Sequence, residues 1–211
     1  ATPVVTPASY LNDVRIDLEA GYAYMTDSGD GAIVVTDLET GTSRRLLDDH
    51  PSTAAEDVVL NIEGRDWLRG DGSSPKVHSD GIALSPDRAY LYYQALTGRT
   101  LYRVPTQALT DPELPPADLA GQVEIVGRTG AADGLIFGGD GMLYISALEE
   151  SAIRRLDPLT NRTEIVVADD VIRWPDTFTR DADGRILFTT AQIHLGRDVT
   201  EPYRIFRIDP R

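Results

Sequence analysis

Short apolar runs alternate with polar turns along the whole chain, and one three-run pattern occurs four times. In each copy an aspartate precedes the first run, a turn leads to an aromatic-rich second run, and a third run follows. The copies begin near Asp13, Asp80, Asp133 and Asp176, and their second runs are 22–26, 90–93, 142–145 and 186–189. Short runs separated by Gly and Asp turns predict antiparallel strands. Their repetition predicts an all-β fold, a β-propeller with four antiparallel blades.

The third runs, 32–35, 100–103, 152–155 and 203–206, complete this division of the chain. We place the blades at 12–50, 78–127, 131–169 and 174–211, within one domain spanning 1–211. Polar insertions at 52–76 and 106–120 lengthen the first two intervals. Such insertions map to loops on one face of a repeat array, which is often the binding face.

Composition narrows the possible partners. A chain of 211 residues with 41% hydrophobic content can bury its own core. The absence of cysteine excludes disulfides and thiolate metal sites. A formal net charge of -14 argues against nucleic acid or an anionic membrane as a partner. No apolar run reaches the roughly 18 residues that a membrane helix needs.

The start of each first strand is the candidate site, because these strands line the central channel of a propeller. The residues expected at one mouth are Asn12, Asp13, Ser79, Asp80, Asp133 and Asp176. Carboxylates that face one another cannot all stay ionised without a cation, and Ca²⁺ accepts a mixed set of oxygen ligands. The alternative is structural, because an Asp before a strand often caps backbone amides. This alternative weighs slightly more for Asp80 and Asp176, and equally for Asn12 and Asp133.

Four further residues could reach the same mouth. His78 precedes Ser79 and could act as a general base, although a loop histidine bonded to backbone is the simpler interpretation. His194 and Gln192 follow the second strand of the last blade. Trp174 could form an aromatic wall for a ligand, or pack between blades. The sequence contains no G-x-S-x-G, H-E-x-x-H or glycine-rich phosphate loop.

Several stretches resemble the bacterial branch of the yellow / major royal jelly protein family, namely 22–31, 47–51, 80–87, 92–102 and 174–177. The resemblance implies a six-bladed, usually secreted propeller, hence an extracellular or periplasmic location, of which this chain matches the C-terminal two thirds. It also implies distant similarity to gluconolactonase / SMP-30-like propellers. Those relatives hold Ca²⁺ or another divalent cation with an Asn at the Asn12 position and an Asp at the Asp133 position. They tend to carry a ligating Asn where this chain has Ser79.

Three functions remain open at this stage. The resemblance implies amine or aromatic ligands in the channel of some members, which suits a small cationic or aromatic molecule bound by Asp13, His78, Ser79, Asp80, Trp174, Asp176 and Gln192. The second is a divalent-metal-dependent lactonase, hydrolase or isomerase, with His78 and His194 as the weak catalytic candidates. The third is a scaffold with no small-molecule site.

The resemblance implies six blades, whereas the pattern occurs four times and the last copy lacks an outer strand. We therefore expect a second polypeptide segment, or self-association, to cover the first and last blades. Residues 2–6 would then be the outer strand of a preceding blade. The alternative is a compact four-bladed ring, in which Val4 and Val5 pair beside 203–208.

Overall fold

A computed structural model describes residues 4–199 and 201–209 of the chain. These residues form four consecutive antiparallel sheets arranged as a β-propeller, which confirms the predicted all-β class. Within each sheet the strands neighbour one another in chain order, so every connection is a hairpin. No helix in the described ranges is long and apolar enough to cross a membrane.

The first sheet consists of β1 (Leu11–Asp17), β2 (Tyr22–Asp27), β3 (Ala32–Asp37) and β4 (Ser43–Leu46). The insertion that follows contains a small hairpin of β5 (Asn61–Ile62) and β6 (Arg65–Asp66). The second sheet consists of β7 (Ser79–Leu84), β8 (Tyr90–Ala95), β9 (Thr100–Pro105) and β10 (Glu124–Arg128). Two short helices, α1 (Thr106–Thr110) and α2 (Pro116–Ala120), lie between β9 and β10.

The third sheet consists of β11 (Leu135–Phe137), β12 (Leu143–Ala147), β13 (Ala152–Leu156) and β14 (Thr163–Ala168). The fourth consists of β15 (Pro175–Arg180), β16 (Ile186–Thr190) and β17 (Ile205–Ile208). Single 3₁₀ turns lie at Leu148–Glu150 and Ile193–Leu195.

The fourth sheet has three strands in the described part of the chain. Val4 and Val5 lie in bends and belong to no strand. The described residues therefore do not form the compact ring in which Val4 and Val5 would pair with the last blade. The other expectation, an outer strand at 2–6, falls partly on residues 2 and 3, which lie outside the described residues.

Apolar side chains fill the space between neighbouring sheets. Tyr24 and Ile33 pack with Tyr93 between the first and second sheets, and α1 and α2 add Leu109 and Leu119 to this cluster. Equivalent clusters lie between the second and third sheets and between the third and fourth. Neighbouring sheets thus bury the faces that they share, which is how blades of a propeller gain stability.

The first strand of each sheet, namely β1, β7, β11 and β15, is its inner strand. Neighbouring inner strands approach one another so closely that two glycines are required. A Cβ at Gly81 of β7 would overlap the carbonyl oxygen of Asp133, and one at Gly134 would overlap the carbonyl oxygen of Asp176. The glycine that follows the aspartate in the second and third copies therefore allows neighbouring blades to come into contact. This contact brings the starts of the inner strands together at one mouth of the channel.

Candidate ligand site at one mouth of the channel

Each inner strand is irregular at the point where its aspartate lies. The register shifts between Leu11 and Val14 in β1, between Ser79 and Ile82 in β7, and between Pro175 and Phe178 in β15. β11 begins directly after Asp133 and Gly134. β-Bulges redirect side chains and are frequent beside active sites. Here they set the direction of the Asp13, Asp80 and Asp176 side chains.

Hydroxyl groups from the second strands bind the backbone at these irregular points. Asp13 N donates to Thr26 Oγ1 at 3.2 Å, and Thr177 N donates to Thr189 Oγ1 at 3.2 Å. Ser146 Oγ accepts from both Asp133 N (2.9 Å) and Gly134 N (2.8 Å). These hydroxyls, and not aspartate side chains, accept from the backbone amides at the starts of the first, third and fourth inner strands.

The structural alternative, an Asp that caps backbone amides, is wrong for Asp80 and Asp176. Within the described residues, neither carboxylate accepts a hydrogen bond from a backbone amide. Asp80 Oδ1 accepts from Asn12 Nδ2 at 2.7 Å, and Asp176 Oδ1 accepts from Thr177 Oγ1 at 2.9 Å. Both carboxylates have capacity left for a ligand, because a carboxylate offers about four acceptor positions.

Asn12 and Ser28 join the first sheet to the second at this mouth. Asn12 Nδ2 also donates to Ser28 Oγ at 3.1 Å, and Ser28 Oγ donates to Ser79 O at 2.9 Å. Ser28, at the end of β2, was not a candidate from sequence. Ser28 directly follows β2, and Thr26 and Ser146 are the second-to-last residues of β2 and β12. A hydroxyl residue at this end of a second strand is the signal that could have identified Ser28.

Burial raises the pKa of all four aspartates, and the charges of neighbouring aspartates add to this for Asp13, Asp80 and Asp133. Burial, then the charge of Asp176, raises the pKa of Asp133 to about 8, although the Trp174 hydrogen bond opposes this. Burial and the charges of Asp133, Asp13 and Asp176 raise the pKa of Asp80 well above its ordinary value. Burial likewise raises the pKa of Asp13 and of Asp176. The mouth is therefore an acidic site that favours an added positive charge.

Arg15 is the cation beside this group, and sequence reasoning missed it. Its guanidinium lies 3.8 Å from the Asp13 carboxylate and donates to the carbonyl oxygen of Leu135 at 2.8 Å. Burial lowers the pKa of Arg15, while Asp13 opposes that change. Arg15 lies further along β1 than Asp13 and partly offsets that carboxylate. The other three carboxylates form no ion pair within the ranges 4–199 and 201–209.

Trp174 holds Asp133 in place. Its indole Nε1 donates to Asp133 Oδ2 at 2.6 Å, and its side chain is fully buried. Its backbone φ of 45° is unusual for a bulky residue before proline, so the packing around it must offset strain. Because it is buried, Trp174 orients a carboxylate here and does not form an exposed aromatic wall.

His194 and Gln192 lie beside Trp174. The His194 ring stacks on the Trp174 indole at 5.6 Å between centroids, and His194 Nε2 lies 3.4 Å from Glu63 Oε2. Gln192 Nε2 donates to Glu201 O at 2.8 Å. Gln192 Oε1 and both ring nitrogens of His194 are buried without a hydrogen-bond partner in the described residues, and neither side chain bonds to the four carboxylates.

The His78 side chain makes its polar contact with the insertion at 52–76. Its Nδ1 accepts from Ala55 N at 3.1 Å, as expected of a loop histidine bonded to backbone. Ser79 is buried, and its Oγ has no hydrogen-bond partner in the described residues. Of the predicted set, the structure therefore brings Asn12, Asp13, Ser79, Asp80, Asp133, Asp176 and Trp174 together. Within the described ranges, His78, Gln192 and His194 form no hydrogen bond to this set.

The expected metal ligands, Asn12 and Asp133, suit a hard cation chemically, and each has a hydrogen-bond partner of its own. Carboxylate and carboxamide oxygens are what Ca²⁺ prefers. However, the ranges 4–199 and 201–209 contain no group of three His, Asp or Glu side chains placed to hold an ion. Asn12 is bonded to Asp80, while Asp133 is bonded to Trp174. The two residues therefore serve separate hydrogen bonds in this arrangement.

Fold and site together define a β-propeller with an acidic channel mouth. The family model for the major royal jelly protein matches residues 2–188, and the chain belongs to that family. This confirms the resemblance found in the sequence. A comparison with curated proteins finds no sequence match.

Solved structures share the fold at low identity. A chain of the nidogen/laminin complex is 14% identical, with a TM-score of 0.61 over 86% of this chain and 57% of that one. A gluconolactonase from Xanthomonas campestris is 17% identical, with a TM-score of 0.51 over 98% and 57%. The extracellular domain of a hybrid two-component system from B. thetaiotaomicron is 14% identical, with a TM-score of 0.58 over 95% and 23%. The chain thus spans little more than half of the first two propellers.

Proposed function

We propose that the acidic mouth binds a small organic cation, with a primary alkylamine in its ammonium form as the favoured class. The observation that carries the proposal is the gathering of Asp13, Asp80, Asp133 and Asp176, whose pKa values are all raised. A raised pKa means that the ionised form is disfavoured, here first by burial and then by the charges of neighbouring aspartates, and a nearby cation would stabilise that form. An ammonium group supplies that charge together with up to three N–H donors.

The proposal predicts how binding depends on pH. A bound cation would favour the ionised form of the carboxylates. At any pH at which the free site is still partly protonated, binding would therefore release protons. Affinity would therefore rise from acidic pH towards about 8, the pKa of Asp133. Calorimetry in two buffers of different ionisation enthalpy measures the protons released.

The direct test compares two ligands and two variants. Phenethylamine is the probe, and 2-phenylethanol is its neutral analogue. Asp176→Asn removes a half-buried carboxylate at the mouth, and Asp118→Asn removes an exposed one in α2. We expect Asp176→Asn to weaken amine binding by roughly tenfold, because a hydrogen bond to a charged group is worth about 1.5–3 kcal/mol. Asp118→Asn should have no effect.

Two results would contradict the amine site. One is equal affinity for the amine and the alcohol, which would show that charge plays no part. The other is equal loss in both variants. Failure of the folded protein to bind phenethylamine would favour a scaffold without a small-molecule site.

The second candidate function is a divalent-metal-dependent lactonase. The oxygen donors at the mouth and the shared fold with a gluconolactonase support it. It is tested by lactone hydrolysis with added Ca²⁺ and then with excess chelator. Hydrolysis that chelator abolishes and Asp176→Asn impairs would replace amine binding as the function of this mouth.

Secretion is part of the same proposal. Membership of the major royal jelly family supports it, as does the likeness to an extracellular domain. Antibody detection of the protein in the medium or periplasm of the producing cells is the test. Retention in the cytoplasm would contradict it.

A further inference from the structure

The opposite mouth of the channel contains a cavity formed by all four inner strands. These strands end at Asp17, Leu84, Phe137 and Arg180, away from the aspartates that precede them. The cavity has a volume of about 440 Å³, and residues near the ends of β1, β7, β11 and β15 line it. A second cavity of about 540 Å³ shares Arg15, Ile136 and Arg180 with it. This space is large enough for a small molecule.

Three arginines line the first cavity, namely Arg15, Arg88 and Arg180. Such a group is unexpected in a chain with a formal net charge of -14. Arg180 is exposed and makes no ion pair in the described part of the chain. Arg15 has a single acidic neighbour, Asp13, at 3.8 Å, and its shorter contacts are to backbone carbonyls. Burial also lowers the pKa of Arg15, which indicates that its charge is incompletely compensated.

The acidic groups around this mouth are already bound. Asp17 Oδ1 accepts from the backbone amides of Glu19 and Ala20. Glu19 pairs with Arg88, which also lies 3.7 Å from Asp17. Asp181 accepts from Arg185 at 2.7 Å. Arg180 and Arg15 therefore leave positive charge available at the cavity.

We propose that this far mouth binds a small oxyanion, a carboxylate or phosphate group, through Arg180 and Arg15 with Arg88 alongside. The planar guanidinium offers a fork of N–H donors that matches the oxygens of either group. Placement in a concave site between strands strengthens such contacts relative to open solvent. Arg88 and Arg180 lie at the opposite ends of the strands from the four aspartates, whereas Arg15 lies between the two mouths, 3.8 Å from Asp13.

The test measures binding of inorganic phosphate and of acetate by calorimetry at low ionic strength, with chloride as a monatomic anion for comparison. Arg180→Gln removes an exposed guanidinium with no structural partner, so folding should be unaffected. Arg162→Gln is the matched control, since Arg162 is exposed and lies outside the cavity. We expect Arg180→Gln to weaken oxyanion binding at least about fivefold, and Arg162→Gln to leave it unchanged.

The two oxyanions distinguish the source of the ligand. Tighter binding of phosphate would assign a phosphate ester, and tighter binding of acetate a carboxylic acid. Asp176→Asn should leave oxyanion binding unchanged, so a failure here is distinct from a failure of the amine site. Chloride binding as tight as phosphate, equal effects of Arg180→Gln and Arg162→Gln, or no oxyanion binding at all would overturn the proposal.

Discussion

Asp133 shows how strongly burial and neighbours alter one side chain at the mouth. Its pKa of about 8 in the folded protein exceeds the ordinary value of 3.8, so the folded state binds this proton more tightly than the unfolded state. Its contribution to stability is therefore fully present below about pH 3.8 and is lost as the pH rises towards 8.

We predict that Asp133→Asn removes this loss of stability. Asn keeps an oxygen that can accept the Trp174 hydrogen bond, but it carries no charge. In the ligand-free parent protein the free energy of unfolding should fall by more than about 1 kcal/mol between pH 4 and 8. In the variant the free energy of unfolding should fall by less over the same range. Urea unfolding at a series of pH values measures both slopes. Identical slopes would contradict the prediction.

Asp27 provides the internal comparison, because its pKa shifts in the opposite direction. Burial raises the pKa of Asp27, but hydrogen bonds from Ser9, Arg45, Tyr10 and Gly29 outweigh burial and lower it to about 2. Arg45 Nη1 lies 2.5 Å from Asp27 Oδ2, and both side chains are fully buried. This stability is present above pH 3.8 and is lost as the pH falls towards 2. The decrease in the free energy of unfolding as the pH falls below 3.8 should thus be the same in Asp133→Asn as in the parent protein.

At the scale of the strand, glycine sets the distance between neighbouring inner strands. Gly134→Ala would force a Cβ into the carbonyl oxygen of Asp176, whereas a Cβ at Gly127 of β10 meets nothing within 4 Å. We predict that Gly134→Ala destabilises the protein by roughly 1–3 kcal/mol, the usual cost of overpacking. Gly127→Ala should change stability by less than about 0.5 kcal/mol.

The same pair tests whether the acidic mouth depends on strand spacing. Gly134→Ala should weaken phenethylamine binding because it displaces Asp133 and Asp176 relative to each other. Gly127→Ala should bind as the parent does. Thermal unfolding and calorimetry on both variants give the two readouts, and equal stability of the two alanine variants would refute the argument.

At the scale of the whole molecule, the first and last sheets expose apolar side chains. Val14 and Ile16 of β1 are 43% and 55% exposed, and Ile205 of β17 is 72% exposed. Equivalent faces of the other sheets are buried between blades. Exposed apolar faces of this kind favour association.

We therefore predict that the 211-residue chain on its own associates in solution. Replacing Val14 and Ile16 by Thr should shift the equilibrium towards monomer. Leu159→Ser should not, although Leu159 is 93% exposed, because it lies in a turn away from those sheets. Native mass spectrometry is the measurement, and a stable, folded 23.1 kDa parent monomer would contradict the prediction.

The order and type of the elements follow from the sequence alone, because alternation of apolar residues and turn residues is a local property. The recurrence of an Asp before each inner strand placed those residues at one mouth, since equivalent positions in repeated blades meet at the channel. The family likeness rests equally on local stretches such as 80–87 and 92–102.

Contacts between distant residues were decided only by the tertiary structure. Nothing local indicates that Thr26, Ser146 and Thr189 accept from backbone amides at the starts of the inner strands, because the partners lie on different strands. The burial that raises the pKa of Asp133 likewise depends on packing. Arg15 and Arg180 looked like ordinary surface arginines until the inner strands brought them to one cavity. Charge and hydrogen bonding across blades depend on distances that a linear pattern does not contain.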